Sequence, residues 1–283
     1  MKTVLAVEVL YNLLNVGLGL WFVLGLEWGI AGIGWSSFIA EFAKLALLAA
    51  ILLGGASAKA LLESARRGGI ASLSGLRPFL SVNRDLFLRT LVLVVAMAGL
   101  TRLSAERGAV VLAANGILYQ LFVFTALLLD GFENAAQVLN GERAGAADRK
   151  GFTGYIRAIL WRGMAAAALL ASGFALLADP ILASFAATEA VRLEAQDLAP
   201  WLIVIPFAGL AGFVLDGIYV GASWTRSLLL TMIGAGVVYA MALWLSWPLG
   251  SHGLWLSFSL FLLARAAFQL ALLPRLINRE FSA

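Results

Sequence analysis

The chain lacks cysteine, has one histidine and is poor in charge: only 13% of its 283 residues are Asp, Glu, Lys or Arg. The first absence removes disulfides, thiol nucleophiles and thiolate metal sites. The lone histidine lies in the turn Gly250-Ser251-His252-Gly253 and reads as a loop residue. It is remote in sequence from every carboxylate inside an apolar run, so no Ser/His/Asp set can be built. There is neither a phosphate-binding P-loop nor a Rossmann glycine fingerprint followed by a soluble βαβ unit, which excludes ATP-driven and dinucleotide chemistry from this chain. Soluble domains carry roughly a quarter charged residues. A chain that is 62% hydrophobic cannot clothe itself in a polar surface, so its solvent is largely lipid. No enzyme, no metal, no organic cofactor and no nucleic-acid partner is expected; the partner is the bilayer.

What is present is a series of long apolar runs rich in Leu, Ala, Val, Phe and Gly. With about 20 residues needed per crossing, eight spans are expected, near 4–26, 30–54, 85–104, 109–138, 157–178, 198–221, 228–249 and 254–274. The runs are continuous rather than alternating, which excludes a β-barrel. The fold class is therefore all-α, a polytopic transmembrane bundle. Basic residues divide unevenly between alternate loops. Lys59, Arg66, Arg67, Arg77 and Arg84 precede the third span, Arg143, Arg149, Lys150 and Arg157 the fifth, and Arg226 the seventh. Arg275 and Arg279 follow the eighth, and Lys2 precedes the first. The other side holds Arg102, Arg107 and Arg192. By the positive-inside rule both termini are cytoplasmic. The long basic stretch 56–82 marks a boundary between residues 1–55 and 83–283.

Charge inside a membrane costs about 3 kcal/mol per residue on insertion scales, so each such side chain should face protein or water. The fourth span is the most informative. Asn115, Tyr119, Phe122, Ala126, Asp130, Glu133 and Gln137 are spaced 4, 3, 4, 4, 3 and 4, which is one helix face. It reads either as a cavity-lining stripe that offers Asp130 to a proton or cation, or as interhelical hydrogen bonding. Asp216 is the second carboxylate; like Asp130 it is followed by glycine. Glu41 and Lys44 are placed to pair along one helix, and Arg265 is a candidate partner for a carboxylate or an anionic group. Asp85, Arg89, Glu133 and Arg162 are read as lying nearer span ends, within reach of the interface.

These residues also carry a resemblance. Asn83-Arg84-Asp85-Leu86-Phe87-Leu88-Arg89-Thr90, Leu112-Ala113-Ala114-Asn115-Gly116-Ile117-Leu118 and Asp130-Gly131-Phe132 resemble the second lobe of MATE (multidrug and toxic compound extrusion) transporters of the DinF branch. So do Leu215-Asp216-Gly217-Ile218-Tyr219-Val220-Gly221-Ala222 and Gly253-Leu254-Trp255-Leu256 followed by Arg265. Asn12-Leu13-Leu14-Asn15, Phe22-Val23-Leu24-Gly25-Leu26 and Ala40-Glu41 are similar to the last two helices of the first lobe. The resemblance implies a first-lobe hairpin at 1–55, a cytoplasmic linker at 56–82 and a six-helix second lobe at 83–283, with the first four helices of such a transporter not in this stretch. It implies export of amphipathic or cationic compounds from a bacterial inner membrane, coupled to H⁺ or Na⁺. The implied pathway comprises Asp130, Asp216, Glu133, Asn115, Tyr119, Gln120, Gln137, Arg265 and Glu41. Gly19 stands where members often carry Asp, and Gln137 where Glu is common. The alternatives are a non-transporting half that needs a separately supplied first-lobe segment, and a lipid or oligosaccharide flippase of related architecture.

Overall fold

The computed structural model describes residues 2–54 and 73–282. The linker expected at 56–82 therefore lies partly outside the described residues; its last part, from Leu73, is helical. Helix α1 (Lys2–Leu20) runs into a π-turn at Trp21–Gly25 and is followed by α2 (Gly29–Gly54), α3 (Leu73–Glu106), α4 (Ala109–Gly145) and α5 (Arg149–Phe185). A short α6 (Glu189–Asp197) precedes α7 (Pro200–Gly221), α8 (Thr225–Ser246) and α9 (Gly250–Glu280). Among the described residues seven apolar helical stretches are long enough to cross a bilayer. The last, Thr225–Glu280, doubles back at the 3₁₀ turn Trp247–Leu249. Ser246 Oγ meets Ser257 Oγ at 2.8 Å and Tyr239 packs on Phe261 at 5.7 Å, so pairs converge as the chain reverses, and α8 and α9 are antiparallel. The expectation of an all-α bundle holds, and each of the eight expected spans overlaps a described helix.

The helices overrun the apolar windows. The fifth span, expected at 157–178, is the middle of a helix from Arg149 to Phe185, because the ends outside the hydrocarbon are polar and invisible to hydropathy. Asp148 begins that helix by accepting a hydrogen bond from Gly151 N at 2.9 Å. The same N–H, with help from Arg143, holds the Asp148 carboxyl below its ordinary value. Polar α6 was not expected at all. Thr188 caps it on Val191 N, and Arg192 pairs with Glu189 one turn along.

The described residues separate into two compact units, divided between Pro78 and Phe79. In the first, α1 and α2 form a hairpin. Asn15 Oδ1 accepts from Ser36 Oγ at 3.2 Å and from Ser37 Oγ at 3.3 Å. Lys44 Nζ meets Glu8 at 2.7 Å on the opposite helix, rather than being committed to Glu41 on its own. Phe22 stacks on Trp28 at 5.0 Å where the chain turns.

The second unit has two apolar cores. One gathers Leu118, Phe122, Tyr239, Trp255, Phe258 and Phe261, the other Leu129, Phe152, Leu215, Ile218, Tyr219 and Leu273. Within the second core α4 and α7 cross at backbone contact. Gly217 and Gly221, four apart, form one face of α7 and lie against the backbone carbonyls of Glu133 and Gln137. In lipid, where no hydrophobic force pushes helices together, such close approach is the main source of association. A methyl group at Gly217 would collide with a carbonyl that cannot rotate away. Gly217→Ala is therefore expected to destabilise the fold by about 1–3 kcal/mol, whereas Gly131→Ala, whose Cβ would meet nothing within 4 Å, should be neutral. Thermal unfolding of the detergent-purified variants checks this; equal midpoints would contradict the packing described.

A buried charge cluster as the candidate functional site

Asp216 is completely buried on α7. Its Oδ2 is paired with Arg89 from α3 and lies 3.6 Å from Arg265 Nη2 on α9, while Oδ1 accepts from Gln269 Nε2 at 2.5 Å. Arg265 is only 1% exposed. Gly212 leaves room for its guanidinium, and the Phe213 ring covers one face at 4.9 Å. Its Nε and Nη2 make no hydrogen bond among the described residues, so the group has donors to spare. Tyr219, one turn from Asp216, donates to Gln269 O at 2.7 Å and fixes α7 against α9. Asp130 and Glu133 on α4 are partly buried and within Coulombic range of both arginines. The site thus combines two guanidiniums with three carboxylates.

Asp216, read as either a proton- or cation-binding group or a structural partner of an arginine, is anchored between two basic side chains, because an uncompensated carboxylate at this depth would cost several kcal/mol. Arg89 was assigned to the membrane interface. The guanidinium instead turns inward, its side chain 15% exposed and paired with Asp216 on α7. Gln269, also not anticipated, lies in an apolar stretch one turn from Arg265; that spacing was its only signal.

The remaining expected residues are distributed elsewhere. Asn115 is buried, donating from Nδ2 to Ser104 Oγ at 2.9 Å and accepting from Trp255 Nε1 at 2.7 Å. With its amide engaged on both sides, it is a clamp between α3, α4 and α9 rather than a free cavity-lining group. Tyr119 contacts Met97 Sδ at 3.6 Å and, with Asn115, Ser104 and Thr101, borders a recess of about 210 Å³. Gln120 and Gln137 are exposed, and Gln137 meets α7 through its backbone. Glu41 lies in the first unit and is exposed. The seven-residue stripe therefore follows the flank of α4's buried face, with Asn115 and Phe122 inside and Asp130 and Glu133 half covered. His252 proves more than a loop residue. In the first turn of α9 its Nε2 meets Asp197 at 2.9 Å and its Nδ1 accepts from Trp201 Nε1 at 3.1 Å, which ties α9 to the ends of α6 and α7.

The MatE family model matches residues 86–245, more than half of the chain and most of the second unit. The chain belongs to the MatE family. It is a multi-pass membrane protein, and the family is one of transporters rather than enzymes. The MatE chain is 32% identical to DNA damage-inducible protein F of Escherichia coli (strain K12), covering 90% of this chain and 55% of that protein. It is 26% identical to the chloroplastic Protein DETOXIFICATION 45 of Arabidopsis thaliana, over 89% of this chain and 44% of that one. It spans about half the length of these relatives. Among solved structures it resembles a MATE protein in a bent conformation, with a TM-score of 0.80 at 15% identity, covering 98% of this chain and 63% of that one. A MOP superfamily transporter from Pyrococcus furiosus gives a TM-score of 0.71 at 17% identity, over 96% of this chain and 62% of that one. At such identities the likeness concerns the fold.

Breaking the cluster should expose its energetics. Asp216→Ala removes the carboxylate that Arg89 and Arg265 both contact, leaving only the more distant Asp130 and Glu133, and is expected to cost about 3–5 kcal/mol. The double variant Asp216→Ala/Arg265→Met removes one excess charge and should recover part of that loss. Folded protein surviving a heat step, measured by fluorescence-detected gel filtration, distinguishes the two; additive losses would rule out direct coupling.

Proposed function

We propose that this chain takes part in the export of amphipathic or cationic compounds by secondary antiport, with H⁺ or Na⁺ as the coupling ion, in a bacterial inner membrane with both termini cytoplasmic. The orientation rests on the basic loops, and the activity on membership of the MatE family. One observation carries the coupling: Asp130 and Glu133 sit half covered beside a buried pair of arginines whose other partner is Asp216. While charged, the two carboxylates on α4 attract Arg89 and Arg265. When a proton or a bound cation neutralises them, that attraction ends and the arginines are left to Asp216. The loading state of α4 thereby biases the positions of α3 and α9, which is the requirement for coupling an ion to a conformational change. A carboxylate that holds a proton cannot at the same time compensate a cationic substrate, so exchange of one for the other follows from charge balance.

Asp130→Asn and Glu133→Gln are each expected to reduce dye efflux in everted vesicles about tenfold, within the usual 1–3 kcal/mol range of coupling energies. Expression should be unchanged, since both side chains retain partial exposure. Undiminished, ΔpH-dependent transport in both variants would reject the assignment. The buried Arg89 and Arg265 favour a second reading, a flippase or exporter of anionic amphiphiles; replacing the cationic dye by an anionic one in the same assay separates the two.

A further inference from the structure

The α5–α9 face of the second unit carries a groove of about 460 Å³, unrelated to the charge cluster. Its floor is Ile156, Leu273 and Ile277, each less than 10% exposed; Trp161 and Met164 form a wall, standing 71% and 43% exposed. Arg157 and Thr153 lie towards one end. From Arg157 to Met164 is seven residues of helix, about 10 Å, which covers the outer part of the roughly 15 Å half-thickness of a bilayer core. The Arg157 end is also the basic end of the unit. Arg149 Nη2 donates to Asn278 Oδ1 at 2.7 Å, so the start of α5 and the finish of α9 meet and gather Arg149, Lys150, Arg157, Arg275 and Arg279. The acids there are already engaged: Asp148 with Gly151 N and Arg143, and Glu280 with Trp224 Nε1 at 3.1 Å.

We infer that this groove is a binding site for one anionic phospholipid, its acyl chain along Ile156, Leu273 and Met164 and its phosphate at Arg157. The apolar depth takes the outer part of one acyl chain, and the excess of basic over acidic side chains at this end selects a negative headgroup over a zwitterionic one. Trp161, an amphipathic ring on the wall, stacks along the upper chain.

The full chain, purified in detergent, is incubated with equal amounts of phosphatidylglycerol and phosphatidylcholine, and bound lipid is counted by native mass spectrometry. Phosphatidylglycerol should be retained preferentially. Arg157→Ala should lower its retention about fivefold, as expected for one basic residue at a lipid surface, while Arg157→Lys preserves it and Arg192→Ala is silent. Met164→Trp, which fills the apolar end and leaves the charge, should reduce retention of the chain. Equal retention of the two lipids, wild-type retention by Arg157→Ala, unaltered retention by Met164→Trp, or a lipid-free dimer that closes the groove would each overturn the assignment.

Discussion

The burial of Asp216 between Arg89 and Arg265 is the constraint around which the second unit is arranged. Within a bilayer none of the three could be charged alone at an acceptable free energy. Their mutual compensation requires that α3, α7 and α9 meet at one depth. Gln269 and Tyr219 then complete the polar set, one donating to Asp216 Oδ1 and the other to the backbone of α9. Apolar packing on either side encloses this polar layer. On α3, Leu86 belongs with one core and Val92 with the other, and Arg89 lies between them; on α9, Arg265 lies between Leu262 and Leu273 in the same way. The cores supply contact area, and the charges select which helix faces can be brought together.

A second polar node acts at the other end of the same helices. Asn115 links Ser104 of α3 to Trp255 of α9 through α4, while Ser246 and Ser257 close the α8–α9 turn. Asn115 and Asp130 are fifteen residues apart on α4, about 22 Å. The two nodes therefore fix α4 near its start and at mid-length, one by neutral hydrogen bonds and one by charge. Neutral amides and hydroxyls are relatively insensitive to ion binding. The charged node is not.

This distinction also explains what the sequence disclosed. Apolar length identified every crossing, since hydropathy reports the part of a helix that is immersed in lipid. It did not reveal the polar ends, nor α6, whose Glu and Arg residues make it a surface helix. The 3.6-residue period singled out the α4 stripe as a face, yet that face is core at Asn115 and flank at Asp130, because the period does not say which neighbours pack at each level. Asp216 was recognisable as a buried carboxylate, but its partners were not. Arg89 and Arg265 come from helices distant in the chain, and only three-dimensional packing decides which of the available arginines reaches it. Arg89 was read from its place near the start of the apolar run, which does not reveal that its side chain turns inward to Asp216.

The distribution of charge among helices carries a mechanical consequence. The three carboxylates belong to α4 and α7, and these two are in backbone contact at Gly217 and Gly221. Helices packed so closely cannot slide without steric collision, so Asp130, Glu133 and Asp216 form one rigid acidic element. Of the two arginines, Arg265 belongs to α9, which Tyr219 holds to α7 through the Gln269 carbonyl, whereas Arg89 belongs to α3 and reaches the acidic element through its side chain. When the charge of the acidic element changes, the compliant partner is α3. A bundle of this kind converts a local neutralisation on α4 into a shift of α3 rather than into a general loosening, because the glycine contact that joins the carboxylates is insensitive to their ionisation.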